Sequence, residues 1–150
     1  ETFTEQRVNL VNALAMARER GLVVAERREP EPSRYGALLA LHVGGTEVAG
    51  TLVEGEPRIV FIDGFWVDVP TAGHLLLTKH QDKPGLVGRV GTILGEHNVN
   101  ISSMQVGRLH PRGEALMILT LDDPVPDEVR DRILAFPDIN DVRTARLGVL

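Results

Sequence analysis

The stretch Lys79-His80-Gln81-Asp82-Lys83-Pro84-Gly85-Leu86-Val87-Gly88 gathers the side chains and backbone groups best suited to chemistry. An apolar run, Leu75 to Leu77, leads into it, and an amphipathic segment, Leu86 to Leu94, leads out. The polar residues therefore fall where a strand stops and a helix begins. At such a junction the first helical N–H groups have no intrahelical partner and the positive end of the dipole faces outward, which suits a carboxylate or phosphate. Pro84 is pre-set for a first helical turn, and Gly85 lets a ligand approach the backbone closely. The pattern points to recognition of a small molecule, not to catalysis.

Other chemistries find little support. The chain has no cysteine, which removes disulfides, thiolate metal sites, iron–sulfur clusters and cysteine nucleophiles. Its five histidines show no H-x-x-x-H or H-E-x-x-H spacing, so no metal site is expected. Ser102 and Ser103 lie in no G-x-S-x-G elbow, and Asp122-Asp123 reads as a turn with no acid–base partner. Gly85, Gly88 and Gly91 lack the order of a phosphate loop and read better as close helix packing. No catalytic residue and no cofactor are expected in this stretch of chain. A formal charge of −5 and 4% aromatic residues argue against nucleic acid. No apolar run approaches the ~18 residues of a membrane span, and a cytoplasmic protein is expected.

The elements around the junction follow from periodicity. Val8, Val11, Leu14, Ala15 and Arg18 predict a helix over 7–20, ended by Gly21, with Asn9 and Asn12 three apart and facing either a partner strand or solvent. Leu22 to Arg28 alternates like a strand, and 29–33 is a stiff acidic loop. Tyr35, Ala37, Leu39, Leu41 and Val43 alternate up to a Gly44-Gly45 hairpin, and Thr46 to Val53 returns. Arg58 to Ile62, the Asp63-Gly64 turn and Phe65 to Val69 complete a meander of about five strands. Residues 1–71 thus read as one α+β unit whose helix comes first, as though the domain were entered partway. After Pro70-Thr71-Ala72-Gly73 the expected order over 72–150 is strand 75–80, helix 85–97, strand 99–107, strand 115–121, helix 126–135 and strand 140–147. This βαββαβ order is the ferredoxin-like split motif, with both helices on one face and the other face and edges left for a partner. The fold class is α+β throughout.

Asp82-Lys83-Pro84-Gly85-Leu86-Val87-Gly88, followed by Gly95 and Asn98-Val99-Asn100-Ile101, resembles the ACT domain family of amino-acid sensors. Val8 to Gly21, Gly50-Thr51-Leu52 and Ile62-Asp63-Gly64 resemble the allosteric substrate-binding domain of the D-3-phosphoglycerate dehydrogenase family. The resemblance implies a regulatory segment that binds L-serine or a related amino acid between two ACT domains paired through their sheet edges, in a homo-oligomer. NAD would belong to the catalytic domains of the same parent chain. Matched by position, the effector residues are His80, Asp82, Gly85, Leu86, Val87 and Asn100, the last from a neighbouring subunit. Helix-start N–H groups and His80 would take the carboxylate, and Asp82 or the Asn100 amide oxygen the ammonium. Arg58 matches one basic position of the family's anion site in the first domain. Two other readings compete: the comparable regulatory segment of an L-serine dehydratase, and a ligand-free oligomerisation module.

Overall fold

In a computed structural model, residues 8–25 and 35–148 are described, and the chain divides into two compact units, 1–32 and 33–150. In the first unit, α1 (Ala13–Glu19) is shorter than the expected 7–20 helix because its first turn is a cap. Asn9 Oδ1 accepts the N–H groups of Val11 and Asn12, while Asn12 Oδ1 accepts the N–H of Asn9. This reciprocal box satisfies N–H groups that a helix start leaves unpaired. At the other end Gly21, at φ 72°, closes the helix by Leu22 N–H to the Ala17 carbonyl and Gly21 N–H to that of Arg18. Leu22–Ala25 lie in no strand, contrary to the alternation; the rest of that expected strand and the acidic loop fall outside the described residues.

The second unit holds two four-stranded antiparallel sheets. The first is a meander in chain order: β1 (Leu39–Val43), β2 (Thr46–Val53), β3 (Glu56–Ile62) and β4 (Phe65–Pro70). All three of its connections are two-residue turns with φ positive at both positions, as in Asp63 (46°) and Gly64 (92°). That geometry matches the twist of the flanking strands. Glu54-Gly55 alone makes the middle turn, so β3 starts two residues earlier than the sequence suggests.

The second sheet is β5 (Gly73–Gln81), β6 (Ile101–Arg108), β7 (Glu114–Leu121) and β8 (Ile139–Leu147), in the order β6-β7-β5-β8. The helices α2 (Leu86–Glu96) and α3 (Asp127–Leu134) complete the ferredoxin-like βαββαβ unit. Leu86, Val90, Ile93 and Leu94 of α2, with Val129 and Ile133 of α3, pack on Leu76, Met117 and Leu119. Burying each such side chain is worth about 1.5–3 kcal/mol. Asn98, at φ 57°, turns the chain out of α2 in the left-handed conformation.

The opposite sheet face is not left open, as expected, but covered by the meander of the same chain. Leu75, Leu116 and Ile118 pack there against Ile62, Phe65, Val67 and Val69. The continuous apolar run Ala115-Leu116-Met117-Ile118-Leu119 is the reason: β7 is buried on both faces. Gln105 ties the sheets at β6, its Oε1 accepting the Asp68 N–H at 2.7 Å and its Nε2 donating to the Asp68 carbonyl.

Candidate functional site

β5 runs through Gln81, so His80 sits in the strand, as the expected strand over 75–80 has it. Its side chain faces the helices and is 2% exposed. His80 Nδ1 lies 3.2 Å from the Thr78 carbonyl and 3.1 Å from Thr78 Oγ1. With Nδ1 protonated it donates to the Thr78 carbonyl and Nε2 keeps a lone pair; in the other neutral tautomer Nδ1 accepts from the Thr78 hydroxyl and Nε2 carries the proton. Burial holds the imidazole pKa below its ordinary value, against opposing pulls from the Thr78 carbonyl and the Asp82 charge.

Asp82 follows the strand and is committed within the chain. One carboxylate oxygen, Oδ2, accepts both Arg112 N–H at 3.1 Å and Arg108 Nη1 at 3.1 Å. These two donors hold its pKa below the ordinary carboxylate range. Asp82 N–H donates to the Gly113 carbonyl, and Gln81 Nε2 to that of Arg112, so the β6–β7 turn is stapled to this junction. Lys83 is engaged separately with Asp138 at 2.6 Å.

Gly85 is the N-cap of α2 at φ 87°, a left-handed conformation that favours glycine. No side chain caps this helix start, and its first turn carries no acidic residue. The terminal N–H groups and dipole are therefore offered to an anion. Leu86 N–H already donates to the Lys83 carbonyl at 3.5 Å and its side chain is buried in the core, whereas Val87 is 39% exposed.

The register adds a residue that sequence reasoning missed. His80 pairs with Ala115, and Ala115 with Arg108, so the three form one row across β5, β7 and β6 on the helix-bearing face. Ala115 is small enough for the Arg108 side chain to reach Asp82. Nothing in the spacing of Asp82 and Arg108 announces this; it depends on strand pairing.

Asn100 lies elsewhere. It precedes β6, whose far end is Arg108, so about eight residues at ~3.3 Å, roughly 26 Å, separate it from His80 and Asp82 within one chain. Asn100 Nδ2 donates to Asp122 Oδ2 at 2.6 Å. Because a carboxylate only accepts, this bond fixes the amide with its oxygen turned away from Asp122, free of the ambiguity of an amide flip. Arg58 pairs with Asp68 by Nε to Oδ1 at 2.5 Å and Nη2 to the Asp68 carbonyl at 3.2 Å, so its charge is met on its own sheet.

Two cavities lie nearby. An open groove of about 620 Å³ runs from Gly85 between α2 and α3, where Arg89 stacks over Phe136 at 5.9 Å. A second, of about 230 Å³, lies between the sheets and is lined largely by aliphatic residues such as Val48, Ile59 and Leu77. Among the described residues no cluster of three His, Asp or Glu is placed to hold a metal, and no helix is long and apolar enough to cross a membrane.

The βαββαβ unit, with its glycine-opened helix beside His80 and Asp82, is an ACT domain: residues 74–138 match the ACT domain family. Residues 1–63 match the D-3-phosphoglycerate dehydrogenase intervening domain family. The chain is 43% identical over 147 residues to D-3-phosphoglycerate dehydrogenase of Synechocystis sp., covering 95% of this chain and 26% of that enzyme. It is 38% identical over 144 residues to the enzyme of that name from Methanocaldococcus jannaschii, covering 93% and 27%. With that of Bacillus subtilis the identity is 39% over 142 residues, covering 91% and 27%. The chain spans about a quarter of the length of these relatives. It belongs with the intervening-domain and ACT-domain region of the D-3-phosphoglycerate dehydrogenase family, the resemblance its residues carry.

Proposed function

We propose that this chain is the allosteric regulatory part of an NAD-dependent D-3-phosphoglycerate dehydrogenase of L-serine biosynthesis, acting in the cytoplasm. Residues 1–71 form the intervening domain and 72–150 the ACT domain. L-Serine binds between two ACT domains and, as a feedback inhibitor, favours a low-activity arrangement of the catalytic domains, which hold the NAD. Such coupling requires different affinities for the two arrangements, not tight binding alone.

The observation that carries this reading is the uncapped start of α2 beside His80, where an anion finds unpaired N–H groups. Its complement is the edge strand β6. Met104 and Val106 are 46% and 41% exposed on the helix-bearing face. Antiparallel pairing of β6 with its own copy covers them and sets the Asn100 end of one chain beside the His80 end of the other. The two half-sites, remote within one chain, then form one cradle. The serine carboxylate meets α2, and the ammonium meets the outward amide oxygen of Asn100. In its Nδ1–H tautomer, held by the Thr78 carbonyl, His80 accepts at Nε2 and suits the serine hydroxyl. The names of the relatives favour a dehydrogenase parent over a dehydratase.

Titration calorimetry with L-serine is expected to give saturable heat, weakened about tenfold or more by Asn100→Ala, since one charge-assisted hydrogen bond is worth ~1.5–3 kcal/mol. No heat up to millimolar L-serine, or an unaltered isotherm for the variant, would overturn the shared-cradle reading.

A further inference from the structure

We propose that the cavity between the two sheets is a binding site for an α-amino acid with a branched aliphatic side chain, separate from the junction of β5 and α2. The inference does not depend on the serine reading, because it concerns the opposite face of β5.

Leu75, Leu77 and Lys79 alternate with Leu76, Thr78 and His80, so they face the meander and not the helices. In register beside them on β8 stand Ala145, Arg143 and Asp141. The seam is therefore aliphatic at one end and charged at the other. Val48 and Ile59 close the aliphatic part from the meander side, around a space of about 230 Å³. Protein interiors hold few voids larger than a water molecule, and a dry cavity of about 150 Å³ already accepts benzene. An isobutyl group is smaller than benzene and fits here.

The charged end selects the rest of the ligand. Lys79 Nζ meets Asp63 Oδ2 at 2.7 Å, and Arg143 Nε meets Asp141 Oδ2 at 2.7 Å. Arg143 Nη1 also donates to Thr46 Oγ1 at 3.3 Å. Burial alone would raise the Asp63 pKa, but Lys79, the Glu47 N–H and the charge of Arg143 hold it below its ordinary value. The mouth thus keeps carboxylates and cations in equal number. A fatty acid would set its carboxylate against Asp63 and Asp141, and an alkylamine its ammonium against Lys79 and Arg143. A zwitterion meets both signs. Its ammonium takes Asp141, and its carboxylate takes N–H groups of Lys79 and Arg143, which carry three and five donors and have not spent them all on Asp63, Asp141 and Thr46.

The test is calorimetry of the whole chain with L-leucine, with 4-methylpentanoate, which lacks the ammonium, and with 3-methylbutylamine, which lacks the carboxylate. Wild type is expected to bind L-leucine at least tenfold more tightly than either analogue. Ala145→Leu fills the aliphatic end and is expected to weaken leucine by tenfold or more, with an unfolding temperature no lower than wild type, since the added carbons enter empty space. Arg143→Gln alters a side chain that is 56% exposed, so it should also weaken leucine while unfolding close to the wild-type temperature. Asn100→Ala, and saturating L-serine, should leave the leucine isotherm unchanged. No heat with millimolar leucine, or an unaltered isotherm in Ala145→Leu and Arg143→Gln, would overturn the site. Loss of leucine in Asn100→Ala, or its displacement by L-serine, would overturn it too, by placing leucine in the cradle. Equal affinity for leucine and 4-methylpentanoate would overturn the choice of a zwitterion.

Discussion

Leu119→Ala is expected to lower the unfolding free energy by about 3 kcal/mol, within the ~2–5 kcal/mol seen for buried leucines. Leu119 is 1% exposed on β7, paired with Leu76 on one side and Met104 on the other. Its side chain enters the layer between the sheet and the two helices, with Val90, Ile93, Val129 and Ile133 in the same cluster. Truncation removes contacts on all sides in a region held by two helices and a sheet, which collapses only partly. Met104 makes the control. It faces the same way one strand over but is 46% exposed, because neither helix extends across the edge. Met104→Ala should therefore change unliganded stability by no more than about 0.5 kcal/mol, its cost appearing instead in association of two copies. Urea unfolding of both variants at one low protein concentration checks the contrast. Equal losses would mean that β6 is covered within the chain and is not a free edge.

The legible parts of the fold were those fixed by local stereochemistry. Gly44-Gly45 and Asp63-Gly64 sit between alternating segments, and both adopt the positive-φ pair of a two-residue turn that joins such strands tightly. The change of period around Leu86 locates α2 for the same reason, and its buried residues Leu86, Val90, Ile93 and Leu94 recur at three- and four-residue steps. Pairings between distant residues were less legible. Arg108 and Asp82 are 26 positions apart and meet only once β5, β7 and β6 are in register. The meander covering Leu75 and Ile118 is likewise a packing outcome, although the unbroken apolar run in β7 was its trace. Asn9 and Asn12 show the reverse case, a purely local motif whose two amides cap each other's backbone and whose spacing alone suggests a face toward a partner strand or solvent. At the candidate site the residue types were right to notice. Their roles need hydrogen-bond partners that spacing does not show: Thr78 meets His80 at Nδ1, and Asp122 decides which way the Asn100 amide points.

Acidification from pH 7 to pH 5 should destabilise the protein through His80, and His80→Gln should flatten that dependence. Burial lowers the folded-state pKa below the reference 6.5. Above pH ~6.5 the imidazole is neutral in both states and its linkage costs nothing. As pH falls through 6.5 the unfolded chain takes up a proton that the folded chain resists, so stability declines by at most ~1.4 kcal/mol per pH unit for this group. The decline levels off once pH passes below the folded pKa. The carboxylates act in a different window. For Asp63, burial alone would raise the pKa, but the bonds from Lys79 at 2.7 Å and from the Glu47 N–H outweigh it and bring the pKa below 3.8. The Asp63 contribution is therefore intact above pH ~3.8 and is lost only as pH falls through its still lower folded pKa. Asp82, lowered by the Arg112 N–H and Arg108, behaves in the same sense. Between pH 7 and 5 neither carboxylate can mimic His80. Thermal unfolding of wild type and His80→Gln at half-unit steps should give curves that diverge as pH rises from 5 to 7, with the wild type steeper. Parallel curves would mean that His80 titrates alike in the folded and unfolded chain. Its Nε2 lone pair would then disappear near pH 6.5, and its use as an acceptor for the serine hydroxyl would fail in the same range.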